Sequence, residues 1–315
     1  MLKQFLSVSA TVIACLTLPA CSQKIEKEEV SVSEPVVLKA AALENGEGPA
    51  LWKTGDADTT VYLFGTVHVL PPSLQWRTEA FETAFSRSDV VYFEADVSGE
   101  DASLARAVAK LGFMPVGKDL FSLLNANDAD ALKVAAAELN FPTAAVAKMQ
   151  PWFAAMMIVM QAIVAEGQDP ESGVENILVP EAKIANKELR YFETAEQQLS
   201  FMANLDEDVQ VNLLMETVRQ IESIGSSIIE MDNAWVVGDI ATLEKIVLSD
   251  PSMASEELMD VMLVKRNANW TVEINKLIEK EEGVFFIAVG AAHLVGKDSV
   301  VSMLKDAGIS VTRVQ

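Results

Sequence analysis

Apolar and polar positions change their period twice along this chain. Ala50-Leu51-Trp52-Lys53 and residues 59–64 are short runs rich in β-branched and aromatic side chains. The turn formers Gly55-Asp56-Ala57-Asp58 separate them, so the pair predicts a β-hairpin near residue 50. Residues 76–87 place Phe81, Ala84 and Phe85 on one helical face. Residues 89–94 are mostly apolar up to a terminal carboxylate, Glu94, and read as a further strand. From about 101 to 282 the period is mainly helical, with helices predicted over 104–111, 129–139, 143–166, 175–186, 196–204, 206–232, 240–248 and 255–280. Arg190-Tyr191-Phe192-Glu193 interrupts them as a short strand. Residues 284–289 form a buried-strand pattern, followed by a helix over 297–307 and a closing strand over 309–314. The fold class this predicts is α/β (α+β). A mixed sheet is built from N- and C-terminal β/α units of one domain, 49–315, with a long helical insertion at about 101–282. The methionines Met149, Met156, Met157 and Met160 lie at helical spacing, and such a stripe reads as core.

The chemistry in this pattern sits at strand ends. Val61-Tyr62-Leu63-Phe64 runs into Gly65-Thr66-Val67-His68, and Phe285-Phe286-Ile287-Ala288-Val289 runs into Gly290-Ala291-Ala292-His293. The chain has two histidines, and each ends a Gly-x-x-His turn. Glycine is expected here for positive φ and for close backbone approach. Imidazole is the commonest metal ligand, and ligands in α/β sheets gather at the carboxyl ends of strands. One such histidine alone reads as a core residue hydrogen-bonded to backbone; the pair points to a shared site. Glu94 is placed as third metal ligand or general base, against the simpler reading of a solvated strand-end charge. Such a set suits a divalent ion, with zinc, manganese and cobalt all accepting these ligands. Glu175, after Gly173 at a helix start, and Glu193, ending the lone middle strand, are further carboxylates for the crevice; simple capping is the alternative for Glu175. Arg266 could bind a substrate carboxylate or developing negative charge, against the alternative of an ion pair. No P-loop, G-x-S-x-G elbow or H-E-x-x-H occurs, and no serine is marked by its surroundings.

Charge and cysteine use narrow the picture. A formal net charge of −22 opposes nucleic-acid binding and any basic anchor on anionic lipid. Residues 1–20 read as a lipoprotein signal peptide: Lys3, an apolar run over 5–18 too short to span a bilayer, and then Leu18-Pro19-Ala20-Cys21. Cleavage before Cys21 would leave it as a lipidated N-terminus, and Ser22 after it favours outer-membrane sorting. An ordinary secretory signal is the alternative. The expected location is the cell envelope, facing the periplasm. Residues 21–48 read as a disordered tether. With Cys15 removed, the mature chain keeps one cysteine, so neither an internal disulfide nor a thiolate zinc site is expected.

Taken in order, Leu51-Trp52-Lys53, Tyr62-Leu63-Phe64-Gly65-Thr66-Val67-His68-Val69-Leu70-Pro71, Glu94, Arg266-Asn267-Ala268-Asn269-Trp270 and Val289-Gly290-Ala291-Ala292-His293-Leu294 resemble the TraB/GumN family, which includes pheromone-shutdown proteins and is similar to the Tiki metalloproteases. The resemblance covers roughly residue 49 to the C-terminus. It implies a metal-dependent hydrolase of peptide or protein substrates, with His68 and His293 matching the paired motif histidines, Glu94 the acidic position and Arg266 the arginine before Asn-x-x-Trp. Glu175 falls at the family's Gly-hydrophobic-acid position, and Glu193 in Phe-Glu-Thr where Leu-Glu-Thr is usual. The alternative is a non-catalytic envelope lipoprotein holding a metal, a haem-like ligand or a peptide, and the family name also carries an association with polysaccharide production.

Overall fold

The computed structural model describes residues 48–96, 102–251 and 255–315. Its sheet has strands β1 (Leu51–Gly55), β2 (Thr59–Thr66), β3 (Val90–Ala95), β4 (Glu188–Glu193), β5 (Gly283–Gly290) and β6 (Thr312–Arg313), in the order β4-β3-β5-β2-β1-β6. The strands β4, β3, β5 and β2 run parallel, while β1 is antiparallel to β2 and to β6. The architecture is therefore the expected mixed α/β sheet, with the two ends of the chain meeting at β2 and β5. Both faces of β5 are apolar because both are covered. Phe286 and Ala288 face a core with Phe64, Phe81 and Trp235; Phe285, Ile287 and Val289 face one with Trp270, Ile274 and Leu304.

Helices α1 (Glu79–Arg87), α2 (Ser103–Leu111), α3 (Ala126–Glu138), α4 (Thr143–Val146), α5 (Pro151–Ala165), α6 (Val174–Ile184), α7 (Ala195–Ala203), α8 (Glu207–Gln220), α9 (Ile224–Val236), α10 (Ile240–Ser249), α11 (Glu256–Met259), α12 (Lys265–Lys280) and α13 (Val300–Asp306) complete the described fold. Residues of α1, α6 and α9 cover one face of the sheet, and those of α12 and α13 the other. Residues of α2, α3, α5, α7 and α8 build a separate helical core. Met149 and Met156 are buried in it, with Met157 packed against it. Met160 instead packs against a smaller apolar cluster around Val159 and Ile228. Among the described residues no helix is long and apolar enough to cross a membrane. The signal peptide, Cys15, Cys21 and residues 21–47 of the tether lie outside the described residues.

Several element boundaries differ from expectation. The helix expected over 143–166 is two, because Pro151 takes the first helical position of α5 and holds Gln150 extended at φ −63°, ψ 152°. The one expected over 206–232 breaks at a 3₁₀ turn, Ile221–Ser223, between α8 and α9. Helix α1 starts at Glu79 rather than 76, where Thr78 Oγ1 accepts from Phe81 N at 3.2 Å. A π-helical turn, Asp260–Val264, joins α11 to α12. The closing strand shrinks to Thr312–Arg313, paired with Lys53 and Trp52.

One buried group sets a pH dependence of stability. Asp232 of α9 is 0% exposed; its Oδ2 accepts from Gln168 Nε2 at 2.7 Å and its Oδ1 has no partner among the described residues. Burial pushes its pKa up to about 7, against the smaller lowering effect of Gln168. The folded state then holds a proton that the unfolded chain has released, so stability falls as pH rises from about 4 to about 7. The full effect is up to roughly 4 kcal/mol, at 1.36 kcal/mol per pKa unit. Asp232→Asn keeps the shape and removes the charge. Its melting temperature, followed by circular dichroism from pH 5 to 8, is expected to decline less than that of the parent chain; parallel curves would contradict the assignment.

Candidate functional site

The parallel pairing of β2 with β5 sets Gly65 opposite Val289 and Thr66 opposite Gly290, so the two Gly-x-x-His turns leave the sheet side by side. Neither Gly65 nor Gly290 has positive φ, contrary to expectation; Gly290 has φ −49°. Their requirement is close approach alone. A Cβ on Gly65 would lie 3.1 Å from Ala291 Cα, and one on Gly290 would lie 3.1 Å from Glu94 Oε1. Trp235 Nε1 donates to Gly65 O at 2.8 Å and fixes the first turn from α9. The N-terminus of α6 docks on the same turn: Val174 N donates to Val67 O at 3.0 Å, and a Cβ on Gly173 would fall 2.0 Å from His68 O.

The six residues singled out in the chain are gathered here, but only His68, Glu94, Arg266 and His293 line the crevice; Glu175 stands behind His68, and Glu193, expected in the crevice, lies behind Arg266 and lines a separate cleft with Trp270 and Phe201. Glu94, next to last in β3, is 6% exposed and so is no solvated strand-end charge. Its Oε1 accepts from Gly290 N at 2.7 Å, and its Oε2 from Arg266 Nη2 at 2.6 Å and Gln198 Nε2 at 2.8 Å. Arg266, on α12, forms a two-bond fork on Glu193, Nε to Oε1 and Nη2 to Oε2, both 2.9 Å. The ion-pair reading of Arg266 is thus met twice, by both carboxylates. Trp270 lies one turn on, its ring centroid 4.7 Å from the guanidinium carbon and 4.4 Å from the His293 ring, and Nε1 donates to Glu193 Oε1 at 3.1 Å.

Both histidines are braced from behind. His68 Nδ1 lies 3.0 Å from Glu175 Oε2, while Thr66 Oγ1 donates to Glu175 Oε1. His293 Nδ1 lies 2.6 Å from Asn267 Oδ1, and Asn267 Nδ2 donates to Asp298 O at 2.8 Å, which fixes the amide's orientation. His293 Nε2 is therefore the acceptor nitrogen, 3.1 Å from Arg266 Nη1 and 3.6 Å from Glu94 Oε1. Glu175 both occupies the first turn of α6 and orients His68.

The electrostatics follow from burial and these partners. For Glu94, burial opposes ionisation, but Arg266, His293, His68 and the Gly290 N–H outweigh it and bring the pKa down to about 2. For His293, burial outweighs the raising charge of Glu94 and, with the Arg266 and His68 charges, lowers the pKa to about 3, so it is neutral. For His68, burial is outweighed by the charge and hydrogen bond of Glu175, which raise its pKa above the usual imidazole value. Burial raises Glu193 above the ordinary carboxylate range, Arg266 opposing and Glu94 adding.

The donor set fits a divalent ion in kind, with two imidazoles and a carboxylate around the bare α-carbon of Gly290. The position a Cβ would take there is 3.1 Å from Glu94 Oε1, 3.5 Å from His68 Nε2 and 3.7 Å from His293 Cδ2. It is not spread at ligand spacing: among the described residues no three His, Cys, Asp or Glu side chains form a ready metal cluster. Arg266 occupies the space, with Nη1 on His293 and Nη2 on Glu94. Asn267 and Gln198 were not singled out by sequence reasoning. Asn267 adjoins Arg266 in the polar and aromatic stretch Arg266-Asn267-Ala268-Asn269-Trp270, a signal that could have found it; Gln198 sits in an unremarkable amphipathic helix.

The chain is similar to known proteins across nearly the whole of the described fold. It is 25% identical over 259 residues to the uncharacterized protein YbaP of Escherichia coli (strain K12), covering 82% of this chain and 92% of that one. The Shigella flexneri YbaP matches to the same extent. Metalloprotease TIKI1 of Danio rerio is 23% identical over 336 residues, covering 91% of this chain and 67% of that protein. No solved structure matches. The family model described as TraB/PrgY/gumN matches residues 50–313, and the chain belongs to that family.

Proposed function

We propose that this protein is a metal-dependent hydrolase of peptide substrates, with its site at the carboxyl ends of β2, β3 and β5. The observation that carries the reading is the bracing of both imidazoles. Each has an oxygen acceptor behind Nδ1, at 3.0 Å for His68 and 2.6 Å for His293, which turns Nε2 to the front; on His293 that nitrogen accepts from Arg266 Nη1 at 3.1 Å, a contact that a bound ion would replace. Similarity to a metalloprotease supports the same reading. His68, His293 and Glu94 would hold manganese, cobalt or zinc. A bound divalent ion supplies Lewis-acid polarisation of a carbonyl and a more acidic water.

The chain's own groups do the rest. Glu175 and Asn267 hold the imidazole planes. Glu94 stays ionised, while Glu193, raised by burial and held behind Arg266, would accept and return a proton once Arg266 moves off it. Arg266 lies between these carboxylates, positioned to stabilise negative charge on a substrate oxygen once its contact with His293 opens. Membrane attachment through lipid on Cys21, with the domain facing the periplasm from the outer membrane, completes the reading. It is supported by the apolar run and the Leu-Pro-Ala-Cys-Ser segment.

Four outcomes test this. Mature protein loaded with each metal is expected to cleave members of a peptide library in a chelator-sensitive way, read by mass spectrometry; no cleavage with any metal would contradict it. His68→Ala and His293→Ala are expected to abolish metal uptake in calorimetry with the fold retained. Asn267→Ala should weaken uptake about 10–100-fold, as loss of a group orienting a ligand does. Glu193→Gln should lower kcat about 10²–10⁴-fold, with metal content and KM near parent values, the range for lost proton transfer; unchanged kcat would remove Glu193 from the chemistry.

A further inference from the structure

The site residues form one wall of a pocket whose other walls come from the helical insertion. Trp152 and Met156 of α5, Leu199 and Met202 of α7, Met231 of α9 and Met262 of the π-helical turn line it opposite His68, Glu94, Arg266 and His293. The charged groups on the wall are committed to one another or to neighbouring polar groups, Glu94 to Arg266 and His68 to Glu175, which leaves the far side apolar. Four methionines on one concave surface give it an adaptable lining. Trp152 is 1% exposed, and its indole N–H has no acceptor among the described residues.

We propose that this pocket receives the aliphatic side chain, leucine or methionine, that flanks the scissile bond of a peptide substrate. The proposal rests on the hydrolase reading for its mention of a scissile bond, but the pocket's selectivity is a property of its own. Size supports the choice. The cavity volume is about 60 Å³, room for more than one water-sized group and so for a small aliphatic side chain such as that of leucine or methionine. Charge supports it as well: a chain of net charge −22 repels acidic peptides, and the pocket offers an acidic side chain no uncommitted cation.

The test is binding, read without turnover. Mature protein labelled with ¹³C at methionine methyls is titrated with acetyl-Ala-Leu-Ala-amide, and separately with the Asp and Gly analogues. The Leu peptide is expected to shift the methyls of Met156, Met202, Met231 and Met262 saturably, leaving Met149 and Met303 in place, with an apparent Kd at least tenfold below those of the analogues. Leu199→Trp, which fills the pocket, is expected to remove these shifts while the remaining methyl spectrum is kept. Absence of shifts at the four methyls, or equal shifts with the Asp peptide, overturns the proposal. Binding without cleavage of any peptide would sink the hydrolase reading and leave the pocket standing; cleavage indifferent to the flanking side chain, together with equal binding, would sink the pocket and leave the hydrolase.

Discussion

A single buried guanidinium holds the candidate site together. Arg266 is 2% exposed and lies between Glu94 and Glu193, the ends of two adjacent strands. Two carboxylates brought this close in a low-dielectric interior repel each other and lose their hydration, and removing the cation between them costs about 3–5 kcal/mol where such a pair is broken. Arg266 also donates to Met262 O at 3.1 Å across the π-helical turn, which ties its helix to the roof of the pocket. Through Nη1 it reaches His293, so one side chain links β3, β4 and the second glycine turn. Its aromatic neighbours, Trp270 and Phe201, shield these groups from water, and Trp270 Nε1 shares Glu193 Oε1 with Arg266 Nε.

Sheet order explains why such distant residues meet. With β5 between β3 and β2, the strand carrying Gly290 has Glu94 on one side and the His68 turn on the other. Glycine at 65 and 290 allows these backbones and the carboxylate to close up, so the two motifs act as one surface. The helices between β3 and β5 then do two tasks. Residues of α6 and α12 brace the histidines through Glu175 and Asn267, and residues of α5, α7 and α9 supply the apolar walls in front of them.

Much of this was legible in the chain, for identifiable reasons. Strand period followed by Gly-x-x-His is a local signal, and two copies using both histidines made it readable across more than two hundred residues. Glu94 was legible because a carboxylate ending an apolar strand is out of place. The reason first assigned to the glycines was half right: close approach holds and positive φ does not, because Gly65 and Gly290 remain within the paired strands. Pro151 did carry a boundary signal, that of a first-turn proline. By contrast, Ile221–Ser223 and the π-helical turn have neither glycine nor proline to mark them. Gln198 was invisible because a glutamine on an amphipathic helix has the same local pattern whether it meets water or a buried carboxylate.

On the proposed function the two glycine turns form one metal-holding site. Anomalous X-ray scattering from crystals of the mature protein, collected on either side of the manganese and cobalt absorption edges after soaking, tests it most directly. The account predicts a single strong peak in contact with both His68 and His293 and with Glu94, with Arg266 withdrawn from His293. No peak between the histidines, or a peak elsewhere with the Arg266–His293 contact intact, would contradict it.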